Sequence, residues 1–290
     1  MHLSLSQRRV TTAALTLVAV LTAQAGDVIP QPLHSPAVEA TLTAMPEGTI
    51  TYRHDSLAAE ARYLATALQA RGDSRSTARA RRARRGIVLL TTDTLSGPEA
   101  YRIETTPQRV TLVGGSRAGL FYAIQTLLQQ TEDGRLPLGI TADAPRSAWR
   151  GIMLDEARHF FGRDKVMQLL DLMARYKLNR FHWHLTDEQA WRIEIKAFPR
   201  LTEEGGRGTW SEPTTRRLQC YTQQDIRHIV AYAAERHILV IPAPDMPGHA
   251  TAANRAYPFL SGGGTKDHPH FTFNVGRATV YSVLTQVLRE

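Results

Sequence analysis

The chain has 290 residues, 42% hydrophobic and 21% charged, an ordinary globular composition long enough for about two domains. Its single cysteine, Cys220, excludes an intrachain disulfide, so the core must supply the stability, and a lone Cys reads as structural rather than nucleophilic. The formal charge of +8 suggests nucleic acid until it is located. The first 25 residues hold two arginines and no acid. Removing seven further arginines, at 71, 75, 79, 81, 82, 84 and 85, leaves the rest at −1. No Phe, Tyr or Trp lies between Arg71 and Arg85, which argues against a nucleic-acid surface and for a solvated loop.

In chain order, Arg8 and Arg9 precede an apolar run over 13–21 and the small-x-small site Ala23-Gln24-Ala25. Residues 1–25 therefore read as an export signal, with a periplasmic or secreted destination. The run is shorter than the ~20 residues of a spanning helix. Residues 27–46 read as a linker and first strand. Ala61, Leu64, Ala65 and Leu68 predict a helix over 57–70. Strands follow over 86–90, 101–105 and 109–113, the last two alternating as in an antiparallel sheet. A turn at Gly114-Gly115 leads to a helix over 119–130. Residues 26–145 thus form a small α+β domain.

From residue 146 the pattern becomes alternating strand and helix. Strands are predicted over 151–154, 180–185 and 238–241. Helices are predicted over 164–176, with Asp164 as N-cap, and over 223–236 and 278–288. A long loop covers 186–221. Three βα units in a row argue for a parallel α/β sheet with right-handed crossovers.

Three segments carry candidate chemistry, namely Arg150-Gly-Ile-Met-Leu-Asp155, His182-Trp-His-Leu-Thr-Asp-Glu-Gln-Ala-Trp-Arg192 and Asp245-Met-Pro-Gly-His249. They fall at strand ends, where a (β/α)8 barrel keeps its active site. Arg150, just before the first strand, can fork two hydrogen bonds to neighbouring hydroxyls, although on spacing alone a surface arginine reads as well. Asp155, Arg158 and His159 can form an ion network under such a site. His182 and His184 with Asp187 could bind zinc, or fill a polar layer. Asp187 and His249 end successive strands and can meet, and a carboxylate on an imidazole sets its tautomer and basicity.

Together these segments resemble the sugar-binding half of the family-20 glycoside hydrolases, the β-N-acetylhexosaminidases. The stretch 101–130, with Gly119-Leu-Phe-Tyr-Ala-Ile-Gln-Thr-Leu-Leu128, resembles the accessory domain that precedes their barrel. The resemblance implies a (β/α)8 TIM barrel over 146–290, of which about three units are present. The third strand would then be an exposed edge. It implies an exo-acting, substrate-assisted, retaining hydrolase of terminal β-linked N-acetylhexosamine in chitin fragments or glycans. A carbohydrate is the expected partner. No metal or organic cofactor, nucleic acid or membrane span of the mature form is implied.

By resemblance Arg150, Asp187 and His249 hold the sugar or tune the acid. Asp155, Arg158, His159, His184, Glu188 and Asp245 support them. The sequence departs from the family at Glu188 (usually Asp), Ala190 (usually Gly) and Ala243-Pro244 (usually Glu-Ile). The family's Asp-Glu pair, in a Gly-Gly-Asp-Glu motif on the fourth strand, has no counterpart. After His249 the only acids are Asp267 and Glu290, neither with an acidic neighbour. The chain is therefore expected to be an N-terminal fragment, with the pair beyond residue 290. Two alternatives stay open, an inactive truncated sugar-binding protein and a zinc-dependent barrel hydrolase.

Overall fold

A six-stranded mixed sheet organises the first half of the chain. The structure is a computed structural model that describes residues 28–37, 40–80, 83–208 and 217–290. The predicted export signal, Arg81 and Arg82 lie outside the described residues. The strands are β1 (Leu42–Ala44), β2 (Ile50–Tyr52), β3 (Thr77–Arg79), β4 (Gly86–Thr91), β5 (Tyr101–Thr105), β6 (Arg109–Gly114), β7 (Arg135–Pro137) and β8 (Gly139–Asp143). The sheet order is β3-β2-β4-β6-β5-β8, with β1 and β7 paired separately. β5 and β6 pair antiparallel, as their short connection requires. β4 instead pairs parallel with both β2 and β6, because the chain passes through β5 before returning.

Helices α1 (Ala58–Gln69) and α2 (Arg117–Gln130) pack on this sheet and bury Ala61, Leu64, Leu120, Ile124 and Leu127. Ser116 caps α2, accepting from the amides of Ala118 and Gly119, so the helix starts two residues before its predicted limit. Gly119 lies where α2 crosses the 98–100 segment, and a Cβ there would sit 2.5 Å from the Ala100 carbonyl oxygen.

The second half is built on β9 (Gly151–Asp155), β10 (Arg180–His184) and β11 (Leu239–Ala243). They form a parallel sheet in the order β11-β10-β9, with His184 level with both Asp155 and Ala243. Helices α3 (Arg163–Arg175) and α5 (Gln223–Ala234) are the crossovers. These are the βα units read from the sequence. The N-cap of α3 is Gly162, however, and Asp164 sits inside the first turn, where its charge suits the helix dipole. Thr222 and Asp225 close a capping box on α5. The long loop holds a short helix, α4 (Arg200–Glu203). Beyond β11 come α6 (Thr251–Ala256), the hairpin β12 (Ser261–Gly263) and β13 (Thr272–Phe273), and α7 (Ala278–Arg289).

One apolar core runs from Leu64 and Phe121 in the first half to Met173 and Phe181 in the second. A smaller one joins Trp191, Leu201, Ala256, Phe273 and Val280. β9 and β11 are the outer strands of the parallel sheet, and Met153 and Leu239 on them are more than half exposed, at 54% and 57%. Among the described residues no helix is long and apolar enough to cross a membrane.

Candidate active site at the strand ends

The C-terminal ends of the three parallel strands converge on Asp187. β10 stops at His184, and a tight bridge between Thr186 and Trp191 turns the Asp187 side chain inward, where it is 1% exposed. Its Oδ2 accepts from His184 Nε2 at 2.9 Å and pairs with Arg158 Nη2 at 2.8 Å. Its Oδ1 accepts from the Glu188 amide at 2.7 Å and lies 3.0 Å from His249 Nδ1. Burial alone would raise the Asp187 pKa. Hydrogen bonds from His184 and the Glu188 amide, with the charges of Arg158 and His249, hold it below the usual carboxylate value. The Asp187 hydrogen bond in turn raises the His184 pKa against the effect of burial.

Arg158 is fixed by two carboxylates. Its Nη1 donates to Asp155 Oδ2 at 2.7 Å, while Nη2 meets Asp187. The side chain keeps 32% exposure, so it is not sealed off by these two acids. His249 reaches the site from the other side. It adopts φ +55°, a left-handed conformation set by the turn that follows Pro247-Gly248. Its ring lies against Phe271 with centroids 4.9 Å apart, and the side chain is 40% exposed. The Asp245 amide donates to Thr186 Oγ1 at 2.7 Å, which ties the end of β11 to the end of β10. Glu188 bonds His268 Nδ1 at 2.9 Å on the 261–272 loop and raises its pKa.

Three sequence assignments are corrected by this geometry. Arg150 is not at the site. It precedes β9, at the opposite end of the strand from Asp155, roughly 15 Å away at strand rise. There its Nη1 pairs with Glu99 at 2.8 Å, and its Nε donates to the Lys177 carbonyl. Arg158, which the sequence places only in support, occupies the strand end instead. His159 is exposed and takes no part in the network. The position of Arg158 was available in the sequence, since it follows the strand that Arg150 precedes.

Two further residues were given no role by the sequence. Arg192 is fully buried and donates to the carbonyls of Glu156, Ala157, Gly206, Gly208 and Gln219, joining the long loop to the end of β9. Burial lowers its pKa to about 10. Glu156, also fully buried, accepts from Tyr221 Oη at 2.8 Å and from the Phe161 amide.

The zinc alternative can be tested on the donor set. His184, Asp187 and Asp245 come within 4.8 Å, as do Asp187, Glu188 and His249. His182 belongs to neither group and is exposed. Both groups share Asp187, whose oxygens are already occupied and whose neighbour Arg158 would repel a cation. The arrangement fits a metal poorly.

Residues 148–290 match the glycosyl hydrolase family 20 catalytic domain, and residues 25–144 match domain 2 of the same family. The chain belongs to glycosyl hydrolase family 20. Among its family-20 relatives, the beta-hexosaminidase of Porphyromonas gingivalis is 40% identical over 210 residues, which is 66% of this chain and 27% of that protein. The beta-N-acetylhexosaminidase of Cellulomonas fimi is 37% identical over 207 residues, 67% of this chain and 40% of that protein. The chain therefore spans well under half the length of either. The solved beta-N-acetylhexosaminidase of Bacteroides fragilis superposes with a TM-score of 0.78 at 32% identity, covering 91% of this chain and 54% of that one. The exo beta-N-acetylglucosaminidase of Vibrio harveyi, in complex with N-acetylglucosamine, gives 0.80 at 29% identity, covering 91% and 44%. These are barrel enzymes with a preceding domain, so the three parallel strands are part of a TIM barrel.

Proposed function

We propose that this chain is the sugar-gripping part of an exo-acting glycosidase that releases terminal β-linked N-acetylglucosamine or N-acetylgalactosamine from chitin fragments or glycans. The observation that carries the reading is the buried Asp187 carboxylate shared by Arg158, His184 and His249 at the ends of parallel barrel strands. The relatives named as hexosaminidases support it, as does the Vibrio harveyi structure holding N-acetylglucosamine. Export through residues 1–25, to the periplasm or the medium, belongs to the same proposal.

In this reading the part-exposed Arg158 side chain, aligned by Asp155 and Asp187, takes sugar hydroxyls. Asp187 bonds His249 through Nδ1, which orients the ring and leaves its Nε2 free of that carboxylate. The acetamido oxygen of the substrate attacks the anomeric carbon as the bond to the leaving oxygen breaks. A Glu donates its proton to that oxygen, and an Asp holds the amide of the resulting oxazolinium. Water then opens the ring, with the same Glu taking its proton. We place that Asp-Glu pair beyond residue 290, with the Asp187–His249 pair contacting and tuning the Glu.

The test is hydrolysis of aryl N-acetylglucosaminide and aryl glucoside by the full-length protein. Cleavage of the acetamido sugar alone is expected, with Asp187→Asn lowering kcat/KM about tenfold to a hundredfold. Equal cleavage of the plain glucoside would overturn substrate assistance. Loss of activity on chelation, regained with zinc, would restore the metal reading.

A further inference from the structure

A second cavity, of about 650 Å³, lies at the other end of the parallel sheet, between the 30–33 segment, the 143–147 connection and the seam of the two halves. Its volume is that of a small-molecule site. Glu99 and Asp143 line it, and each is matched by one cation. Glu99 takes Arg150 at 2.8 Å, with Asn179 and Tyr122 as further donors. Asp143 lies 3.6 Å from Lys177 Nζ and accepts from Tyr101 Oη and the Leu33 and Ala144 amides. Arg146 also lines the cavity. It is exposed and makes no hydrogen bond or ion pair among the described residues. The cavity therefore carries one uncompensated positive charge. Pro30, Pro32, Leu33 and Pro145 supply an apolar wall, and Gln31 and Ser147 supply polar groups beside it.

We infer that this cavity is a second binding site for an acidic sugar, a pyranose with a single carboxylate. The carboxylate meets Arg146, the ring carbons lie on the prolines, and the hydroxyls face Gln31 and Ser147. The choice of a monoanion follows from the single unmatched cation. The choice of a sugar follows from the mixed wall of apolar and hydrogen-bonding groups. The site is separate from Asp187 and His249, because the whole length of β9 lies between them.

Lys177 supplies an independent signature. Burial lowers its pKa, Asp143 opposes this and Arg150 adds to it, leaving it at about 8. The groups facing its amine are Asp143, Tyr101 and Arg150. A bound carboxylate adds negative charge nearby and favours the protonated amine. Binding is therefore expected to take up a proton near pH 8 and to weaken as pH rises past that value.

The experiment is calorimetric titration of the full-length protein with glucuronate and with glucose, at pH 7 and pH 9. It is repeated on Arg146→Ala, and in the presence of saturating N-acetylglucosamine. Glucuronate is expected to bind, glucose about tenfold more weakly, and Arg146→Ala to weaken glucuronate about fivefold with an unchanged unfolding midpoint. N-acetylglucosamine should not compete. Absence of saturable glucuronate binding, equal binding of glucose, or an unaffected Arg146→Ala would overturn the site. Displacement by N-acetylglucosamine would assign the binding to the Asp187 end and overturn it equally.

Discussion

The two ends of the parallel sheet carry similar ingredients and put them to different use. At the N-terminal end, Glu99 pairs with Arg150 and Asp143 with Lys177, each acid against one cation, across the seam between the two halves. At the C-terminal end, one carboxylate, Asp187, is shared by an arginine and two histidines, and two of those partners keep 32% and 40% of their side chains exposed. Matched pairs hold parts together. An acid with surplus partners orients groups that still have bonding capacity to offer a ligand. The difference lies in topology rather than residue type, because only the C-terminal end of a parallel sheet receives the βα loops.

The largest expected effect comes from removing what holds that end in shape. Arg192→Met removes the side-chain donor to five carbonyls, in four buried hydrogen bonds and one part-buried. The cost should be about 3–5 kcal/mol of unfolding free energy, read by denaturant titration. A cost below about 1 kcal/mol would mean that the long loop holds its own geometry. The strand-end network would then need another explanation for its order.

Exchanging the two arginines tests the comparison directly. Arg158→Lys keeps the charge but cannot span Asp155 and Asp187 as a fork. It should weaken N-acetylglucosamine binding about tenfold while changing stability by under ~1 kcal/mol. Arg150→Lys should show the reverse, about 1–2 kcal/mol of stability lost at the seam with sugar affinity within about twofold. Calorimetry and chemical unfolding on both variants decide this, and a sugar-binding loss in Arg150→Lys would return that residue to the site.

Much of the barrel part was legible in the sequence, for a physical reason. Its strands and helices alternate, and each apolar run is bounded by polar ends, so Gly151–Asp155, Arg180–His184 and Leu239–Ala243 emerge within a few residues of their limits. Asp187 and His249 were legible because each follows the end of such a strand. Arg150 was misplaced because a motif fixes residue types, whereas the direction of the strand decides which end a residue occupies. The roles of Arg192 and Glu156 were not legible. Their partners are backbone atoms and a tyrosine up to 65 residues away, and a buried charge satisfied by carbonyls leaves no pattern in the chain. The parallel pairing of β4 with β6 was hidden likewise, since pairing order is a property of tertiary structure.

The proton linkage of the Asp187 network offers a smaller effect. The folded pKa of His184 is raised above its ordinary value of 6.5. Its contribution to stability is therefore complete below pH 6.5 and is lost as pH rises through the folded value. The Asp187 contribution runs the other way, present above its ordinary 3.8 and lost as pH falls through its depressed folded value. Unfolding free energy should thus decline on both sides of a plateau between these two titrations. In Asp187→Asn both slopes should flatten together, because each pKa shift depends on the same contact. A His184 titration unchanged in that variant, followed by imidazole NMR, would break the claim that the carboxylate is shared.

The smallest effect separates the buried histidine from an exposed one. His268 owes its raised pKa chiefly to its hydrogen bond with Glu188, with the charge of the same group adding to it. The ring is well exposed, so this pair should contribute nothing measurable to stability. Glu188→Gln removes the charge and keeps the shape. The His268 titration should then move down towards its ordinary value, while the titration of His184 and the unfolding midpoint stay where they were. If His184 moves as well, Glu188 is part of the Asp187 network rather than a separate tie to the 261–272 loop. Its place beside His249, 3.7 Å from Nδ1, would then make the longer side chain at this position a tuning group for the site.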